Sequence, residues 1–190
     1  MPALASLRQR HPKLLIDIDT GANRISRLGE EVDAAIAITE GVADKHYSRI
    51  LERGRIIAIG SRDLLGNQSS SFDPSGLRSL PVLLHRDMPA AFDEWKQSVG
   101  RRELEAASIS YFDAGQLILD AAAEGLGIAF MLESHLASSS DSRLVRVFPQ
   151  SAESPYAYWF ACPPASLARP GVRVFHDWLF NHFGEVAKAA

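Results

Sequence analysis

The sequence predicts an α/β fold in which strands and helices alternate along a chain of 190 residues. Two short runs, residues 32–38 and 128–132, are almost continuously apolar, which is typical of strands buried on both faces of a sheet. Segments with apolar residues at helical spacing separate such runs, as at residues 90–99 and 114–124. This order favours mainly parallel pairing of the strands. With 46% hydrophobic residues, the chain can bury one large core or two small ones.

The first part of the chain predicts helix, strand, helix and strand in that order. Residues 4–10 have helical spacing, and Pro12 ends this helix because proline disfavours helical geometry in the residue before it. Residues 14–19 alternate with period two, which indicates a half-buried strand. We expect a short helix over residues 23–31, followed by the apolar strand at residues 32–38.

The middle of the chain begins with a strand at residues 55–60. Ser61 can cap a helical turn at residues 62–65, because its hydroxyl accepts a hydrogen bond from a free amide there. Residues 66–76 form the most polar and turn-rich segment. This segment is a surface loop, or Asp73 and the proline after it start a short helix.

The remaining elements follow from the same two periodicities. We expect strands over residues 82–85, 104–111, 144–148 and 156–161, and helices over residues 90–99 and 172–183. The last helix is amphipathic, with Phe175 and Trp178 on its apolar side.

A Gly-Leu-Gly sequence at residues 125–127 raises the question of a phosphate-binding loop. Such a loop needs a strand before the glycines and a helix after them, and here the order is reversed. The helix over residues 114–124 precedes the glycines, with one predicted apolar face formed by Leu117, Ile118, Ala121 and Ala122. Gly125 therefore occupies the position after a helix end, where a positive φ is usual, and the strand at residues 128–132 follows.

Composition excludes several classes of protein. The net charge is −3 and the arginines are scattered, so no basic stripe is present to bind nucleic acid. One cysteine, Cys162, excludes an internal disulfide and is expected to be a small buried side chain. The sequence has no paired Cys or His spacing for a metal, no phosphate loop for a nucleotide cofactor and no signal or membrane-spanning segment. We therefore expect a cytoplasmic protein without a metal or cofactor.

Polar residues that follow strands are the candidates for ligand binding, because open α/β sheets bind small molecules at the carboxyl ends of strands. Thr39, Ser61 and His85 stand at such positions. Asp113, between a strand and a helix, either caps the helix or contacts a ligand. Asp113 with His85 is also the only acid and base pair that the sequence offers for catalysis.

Taken together, the chain resembles the effector-binding domain of LysR-type transcriptional regulators, and in particular the branch typified by the glycine cleavage activator. The resemblance covers nearly the whole chain and depends on six stretches in the family's order. They are LASLRQRHPKLLIDID, DAAIAI, SRDLL, YFDAGQLILDAAAEGLGIAFM, SRLVRVFP and YAYWFACPP followed by RPGVRVFHDWL. Each stretch is weak alone, but their order is specific, and the last is characteristic of that branch.

The resemblance implies a type 2 periplasmic-binding-protein fold with two α/β subdomains joined by a double crossover. Subdomain I would comprise residues 1–58 and 152–190, and subdomain II residues 59–151. The crossovers would lie at residues 55–60 and 148–155.

The resemblance also implies a regulatory binding module rather than an enzyme, with a small effector between the subdomains. The implied contact residues are Thr20, Thr39, Ser61, His85, Asp113 and Met131, with Arg86 beside His85. This mixture favours an anionic or zwitterionic effector. The implied partners are further copies of the chain in a homo-oligomer, and DNA only through a winged helix-turn-helix domain that is absent here; no membrane is implied. A solute-binding protein or a small enzyme of the same fold remain the alternatives.

The family pattern leads us to expect a truncated start, with Met1 inside the family's first helix and the first strand of subdomain I missing. The loss of a central strand leaves unpaired backbone groups and favours self-association. Restoring upstream residues should therefore raise the melting temperature by several degrees in a thermal denaturation experiment. An unchanged melting temperature would contradict this expectation.

Overall fold

The computed structural model describes residues 2–20, 24–65 and 73–189, with side chains over residues 4–20, 24–65 and 73–182. The chain divides into two compact units. Unit 1 comprises residues 1–52 and 157–190, and unit 2 comprises residues 53–156. The chain passes between the units within two long strands, β2 (Tyr47–Ser61) and β7 (Ala152–Cys162).

Unit 1 combines elements from both ends of the chain. It contains α1 (Pro2–Arg10), β1 (Ala35–Thr39), α6 (Pro170–Ala189) and the 3-10 helices Arg24–Arg27 and Pro164–Ala168. Strand β1 pairs antiparallel with β7, and Ile38 lies opposite Tyr158. Helix α1 ends at Arg10, directly before the His-Pro pair, as the sequence predicts.

The core of unit 1 lies where β7 packs against α6. Phe160, Cys162 and Leu179 are buried there, and aromatic side chains of α6 pack around them. Cys162 is fully buried, which confirms its expected role as a small apolar side chain, and burial raises the pKa of its thiol. Tyr47 of β2 donates to or accepts from His176 of α6 across 3.0 Å and so joins these two elements.

Unit 2 is a sheet with helices between its strands. Besides parts of β2 and β7 it contains α2 (Arg62–Leu65), the 3-10 helix Pro74–Ser79, β3 (Pro81–His85), α3 (Ala91–Ser98), β4 (Ser108–Phe112), α4 (Gly115–Ala123), β5 (Ile128–Leu132), α5 (Glu133–Ser138) and β6 (Leu144–Arg146). Strand β3 is parallel to both β4 and β5, whereas β2 is antiparallel to β5 and β6.

Both faces of the central strands of this sheet are covered. On one face, Ile57, Leu83 and Met131 pack against Ile118 and its neighbours on α4. Phe130 alternates with Met131 along β5 and therefore points to the other face. There the ring centroid of Trp95 on α3 lies 5.2 Å from that of Phe130 and 4.9 Å from that of Phe148.

The Gly-Leu-Gly sequence is a helix stop before a buried strand, as predicted. Gly125 has a φ of +75°, and its amide donates to the carbonyl of Ala122 at 3.0 Å. The amide of Leu126 donates to the carbonyl of Ala121 at 3.0 Å, which completes a Schellman motif. All five residues of β5 are buried.

Residues 14–19 are the clearest error of the sequence prediction. They form no strand, and Leu15 is 91% exposed. Alternation shows which side chains could be buried, but a strand also needs backbone partners, and no strand within the described residues pairs with this segment.

Three other predictions need correction. The helix expected over residues 23–31 is only the 3-10 turn Arg24–Arg27, because Gly29 turns the chain with a φ of +89°; residue 23 lies outside the described residues. The described pairings are not mainly parallel, because the long strands β2 and β7 reverse direction against their neighbours. The strand expected from residue 104 begins at residue 108, since Leu104 is buried in a turn instead.

Helix α4 differs from the prediction in its exposed face. The sequence predicts Leu117 on the apolar face, but it is 53% exposed, and Leu119 is buried in its place.

The loop predicted over residues 66–76 lies partly outside the described residues, which resume at residue 73. There Asp73 accepts a hydrogen bond from the amide of Ser75 at 3.0 Å, so the short helix predicted to start at this point is confirmed as a 3-10 helix.

Among the described residues, no helix has the length and apolar character needed to cross a membrane.

Gly125→Ala should destabilise the chain by about 1–2 kcal/mol, because an L side chain in the left-handed region is strained. The added Cβ would lie 3.6 Å from the Ser61 hydroxyl oxygen, an ordinary contact, so the cost comes from the backbone. For a chain of this size the melting temperature should fall by about 2–8 °C. Gly125→Val should cost more.

Gly41→Ala is the matched control, because its Cβ would have no neighbour within 4 Å and its φ is not in the left-handed region. Urea denaturation of the variants measures the difference. Equal stability of Gly125→Ala and Gly41→Ala would show that the turn does not depend on positive φ.

Candidate functional site

The carboxyl ends of β3, β4 and β5 lie at one edge of the sheet in unit 2, because these three strands are parallel. His85 ends β3 and lies opposite Phe112, which ends β4. The amide of Arg86 donates to the carbonyl of Phe112 at 2.8 Å, which holds the two strand ends together. His85, Arg86 and Asp113 therefore share what we call the strand-end edge of unit 2.

His85 is held in a defined orientation at this edge. His85 is only 8% exposed, and its Nδ1 atom accepts a hydrogen bond from the amide of Asp87 at 3.1 Å. An accepting Nδ1 places the proton of the neutral ring on Nε2. A carboxylate oxygen of Asp87 lies 3.9 Å from Nδ1, so the two side chains can form an ion pair when the ring is protonated.

Helix α4 begins at the same edge. Its N-cap residue is Ala114, which makes no side-chain hydrogen bond, so Asp113 does not cap the helix. The capping alternative for Asp113 is therefore wrong, because the helix starts one residue later than a cap at this position requires. Asp113 is exposed, and its alternative role as a ligand contact stays a prediction.

His135 is a residue of this edge that the sequence reasoning missed. An ideal Cβ built on Gly115, the first residue of α4, would lie 3.2 Å from the Nε2 atom of His135. The Nδ1 atom of His135 lies 3.2 Å from the carbonyl of Leu132 and donates to it, because a carbonyl can only accept. A glycine at the first position of a helix was the available signal, since it permits such a close approach.

Two predicted contact residues have other surroundings. Met131 is fully buried and packs with Ile57 against α4. Ser61 accepts a hydrogen bond from the amide of Leu64 at 3.1 Å, which confirms the predicted cap of α2. Because β2 runs antiparallel to β5, Ser61 lies at the edge of the sheet opposite to His85, and the structure does not bring these two residues together.

The two predicted threonines lie in unit 1. Thr39 ends β1, its hydroxyl donates to the carbonyl of Gly41 at 3.2 Å, and its carbonyl accepts from the indole N–H of Trp159 at 3.1 Å. Thr20 is exposed, and its carbonyl accepts from the guanidinium of Arg24 at 3.0 Å.

The phenol of Tyr158 in unit 1 has a raised pKa. Burial, and secondly the negative charge of Glu52, raise its pKa to about 12, while Arg24 acts in the opposite direction. The position of Tyr158 in a strand gave no signal of this environment, because Glu52 and Arg24 come from distant parts of the chain.

Within the part of the chain that the structure describes, no group of three or more His, Cys, Asp or Glu side chains is arranged to hold a metal ion.

Comparison with known proteins gives consistent matches. The family model of the LysR substrate binding domain matches residues 1–184. The HTH-type transcriptional activator AmpR of Rhodobacter capsulatus is 27% identical over 189 residues, which covers 97% of this chain and 62% of that protein. The chain therefore spans less than two thirds of the length of this relative.

Solved structures match the fold at low sequence identity. The effector domain of AmpR from Pseudomonas aeruginosa matches with a TM-score of 0.80 and 19% identity, covering 99% of this chain and 89% of that domain. The regulatory domain of CcmR from Synechocystis, solved in complex with 2-PG, matches with a TM-score of 0.69 and 18% identity. The match covers 96% of this chain and 89% of that domain. These matches show a two-subdomain α/β fold of the type 2 periplasmic-binding-protein class.

The raised pKa of Tyr158 predicts a loss of stability at alkaline pH. The pKa of the phenol is 10.0 in the reference state and about 12 in the folded chain, so the folded state retains the proton to a higher pH. Its contribution is fully present below pH 10 and is lost as the pH rises through 12, by up to roughly 3 kcal/mol. Tyr158→Phe should therefore show a shallower fall in the free energy of unfolding over this range.

Urea denaturation at several pH values between 8 and about 12 measures this slope. Tyr111→Phe, which removes a hydroxyl from an exposed ring on β4, is the control and should keep the wild-type slope. The same slope for Tyr158→Phe and wild type would contradict the prediction.

Proposed function

This chain belongs to the family of LysR substrate binding domains, and we propose that it is the sensory part of a transcriptional regulator that responds to a small anionic or zwitterionic effector. The observation that supports the class of effector is the strand-end edge of unit 2. The edge combines Arg86, the imidazoles of His85 and His135 and the start of α4.

These groups favour a carboxylate or another anion. A guanidinium binds a carboxylate through paired, charge-assisted hydrogen bonds. The amides at the start of a helix also donate to anions, and the helix dipole adds to the attraction. Asp113 is exposed at the same edge and can receive an ammonium group, so an amino acid or a related zwitterion satisfies both signs of charge.

Support for a ligand-holding role comes from the CcmR regulatory domain, which has this fold and was solved in complex with 2-PG. We keep Thr20 and Thr39 as proposed contacts of the effector from unit 1. Met131 and Ser61 are weaker proposals, because Met131 is fully buried and Ser61 lies at the opposite edge of the sheet.

The proposed regulator acts on DNA through a winged helix-turn-helix domain and as a homo-oligomer, as proteins of this type do. The effector changes the regulator only through different affinities for two conformations of the protein. We also propose that the chain lies in the branch typified by the glycine cleavage activator, on the strength of the YAYWFACPP segment and the helix after it.

We propose that the domain is not an enzyme, because its relatives are transcriptional regulators. The competing enzyme hypothesis needs His85 and Asp113 to act together as base and acid. The effector hypothesis and the enzyme hypothesis differ in one measurable respect, which is turnover of the bound compound.

A thermal-shift screen with amino acids, aromatic acids and other small carboxylates tests the proposed function. An effector at 100 times its Kd should stabilise the chain by about 2.7 kcal/mol, which corresponds to an increase of about 5–11 °C in melting temperature. Arg86→Gln should weaken binding of that compound by about tenfold or more, because a charged hydrogen bond is lost.

Arg78→Gln is the control, since this arginine lies in the 3-10 helix after Asp73 and not at the strand-end edge. Undiminished binding by Arg86→Gln would remove the strand-end edge from the site. Consumption of the compound by the wild type, and not by His85→Asn or Asp113→Asn, would replace the sensory function by an enzymatic one.

A further inference from the structure

A groove of about 430 Å³ lies in unit 1, where the end of α1 meets the beginning of α6. Its walls come from both elements and from the turn after α1. The lining residues are Arg10, His11, Pro12, Lys13, Leu14, Pro170, Gly171 and Val174. This volume is within the range of small-molecule sites, which is about 300–1,000 Å³.

Apolar groups form one part of the groove. Leu14, Pro170 and Val174 contribute hydrocarbon surface there. Gly171 keeps the space open, because a Cβ at this position would lie 3.2 Å from a methyl group of Leu14. Any larger side chain at residue 171 would therefore displace Leu14 or occupy the groove.

Basic groups form the other part. Arg10, His11 and Lys13 line the groove on the α1 side, and none of its lining residues within the described part of the chain is acidic. The guanidinium of Arg10 donates to the carbonyl of Ser6 at 3.3 Å, which holds it along the helix. The first turn of α6 also contains no acidic residue, so no carboxylate there neutralises the basic wall.

We propose that this groove binds an amphipathic carboxylate, such as a fatty acid of medium length, as a second ligand of the domain. The hydrocarbon tail lies on Leu14, Pro170 and Val174, where burial of apolar area stabilises it. The carboxylate faces the basic wall, where Lys13 attracts it as a flexible point charge. The ligand contacts α1 and α6 at once, so its binding stabilises the attachment of α1 to unit 1.

Basic residues near the end of α1 also have a purely structural explanation, since cations stabilise a helix at its C-terminal end. That explanation covers Arg8 and Arg10 in the last turn of the helix. It does not cover Lys13, which lies after the helix and lines the groove. Lys13 is therefore the residue that distinguishes a ligand site from helix stabilisation.

Octanoate is the probe, and isothermal titration calorimetry with the full chain measures its binding. Octylamine has a matching tail and the opposite charge, and butyrate has the same head with a short tail. Octanoate should bind at one site per chain, while octylamine and butyrate should bind at least tenfold more weakly.

Two variants test the two parts of the groove separately. Lys13→Glu reverses a charge of the wall, and Val174→Trp fills the apolar part; each should weaken octanoate binding by at least tenfold. Lys45→Glu changes an exposed lysine elsewhere in unit 1 and should bind octanoate as the wild type does. Circular dichroism of each variant verifies that it is folded. Because the side chain of Lys13 is exposed, Lys13→Glu alters no packed contact of the core.

Equal binding of octanoate and octylamine, or octanoate binding unchanged in both Lys13→Glu and Val174→Trp, would overturn the proposal. Arg86→Gln separates this site from the proposed effector site, because it should leave octanoate binding unchanged. Loss of octanoate binding in Arg86→Gln would show that the carboxylate binds at the strand-end edge instead of the groove.

Discussion

Burial of β5 is the constraint on which unit 2 depends. All five residues of this strand are buried, because it pairs with β2 on one side and β3 on the other while α3 and α4 cover its faces. The chain must therefore stop α4 and enter the sheet within a few residues. Gly125 achieves the stop with a positive φ, and Gly127 permits the entry, since a Cβ there would lie 2.4 Å from the carbonyl oxygen of Pro81. Two glycines thus allow the chain to leave α4 and enter the central strand over this short distance.

The same constraint creates the strand-end edge. Because β5 and β3 are parallel, the register of their pairing near Gly127 also determines which of their residues lie together at the other end. This register determines the positions of His85 on β3 and Met131 on β5. Helix α5 starts directly after β5, and its residue His135 lies next to Gly115, the first residue of α4. The side chains at the edge are therefore brought together by the pairing of the buried strands.

Local patterns in the sequence predicted what depends on local physics. The helix stop at Gly125, the cap by Ser61, the end of α1 before a proline and the burial of Cys162 each require only neighbouring residues or hydrophobicity, and all are found. The errors concern partners that are distant in sequence. Residues 14–19 have the period of a strand but no partner strand among the described residues, and Leu117 has the helical spacing of a core residue but is exposed.

The candidate site shows the same division. His85 and Arg86, which the sequence proposes as ligand contacts because they follow a strand, lie beside the end of β4, since parallel strands align their carboxyl ends. Ser61 also follows a strand, but it does not lie near His85, since β2 is antiparallel to its neighbours and its end lies at the other edge of the sheet. His135 and Tyr158 could not be found this way, because the groups that make them notable come from other elements.

Stability and the proposed ligand binding depend on different residues in this domain. The central strand is stabilised by side chains that are buried and apolar, such as Phe130 and Ala129, whereas Arg86 and Asp113 are exposed and contribute little to that core. Exposed charges have small effects on folding but bind ligands directly once water is displaced. Residues at the strand-end edge can therefore change while the glycines and the core of β5 remain, which allows one fold to carry different sites.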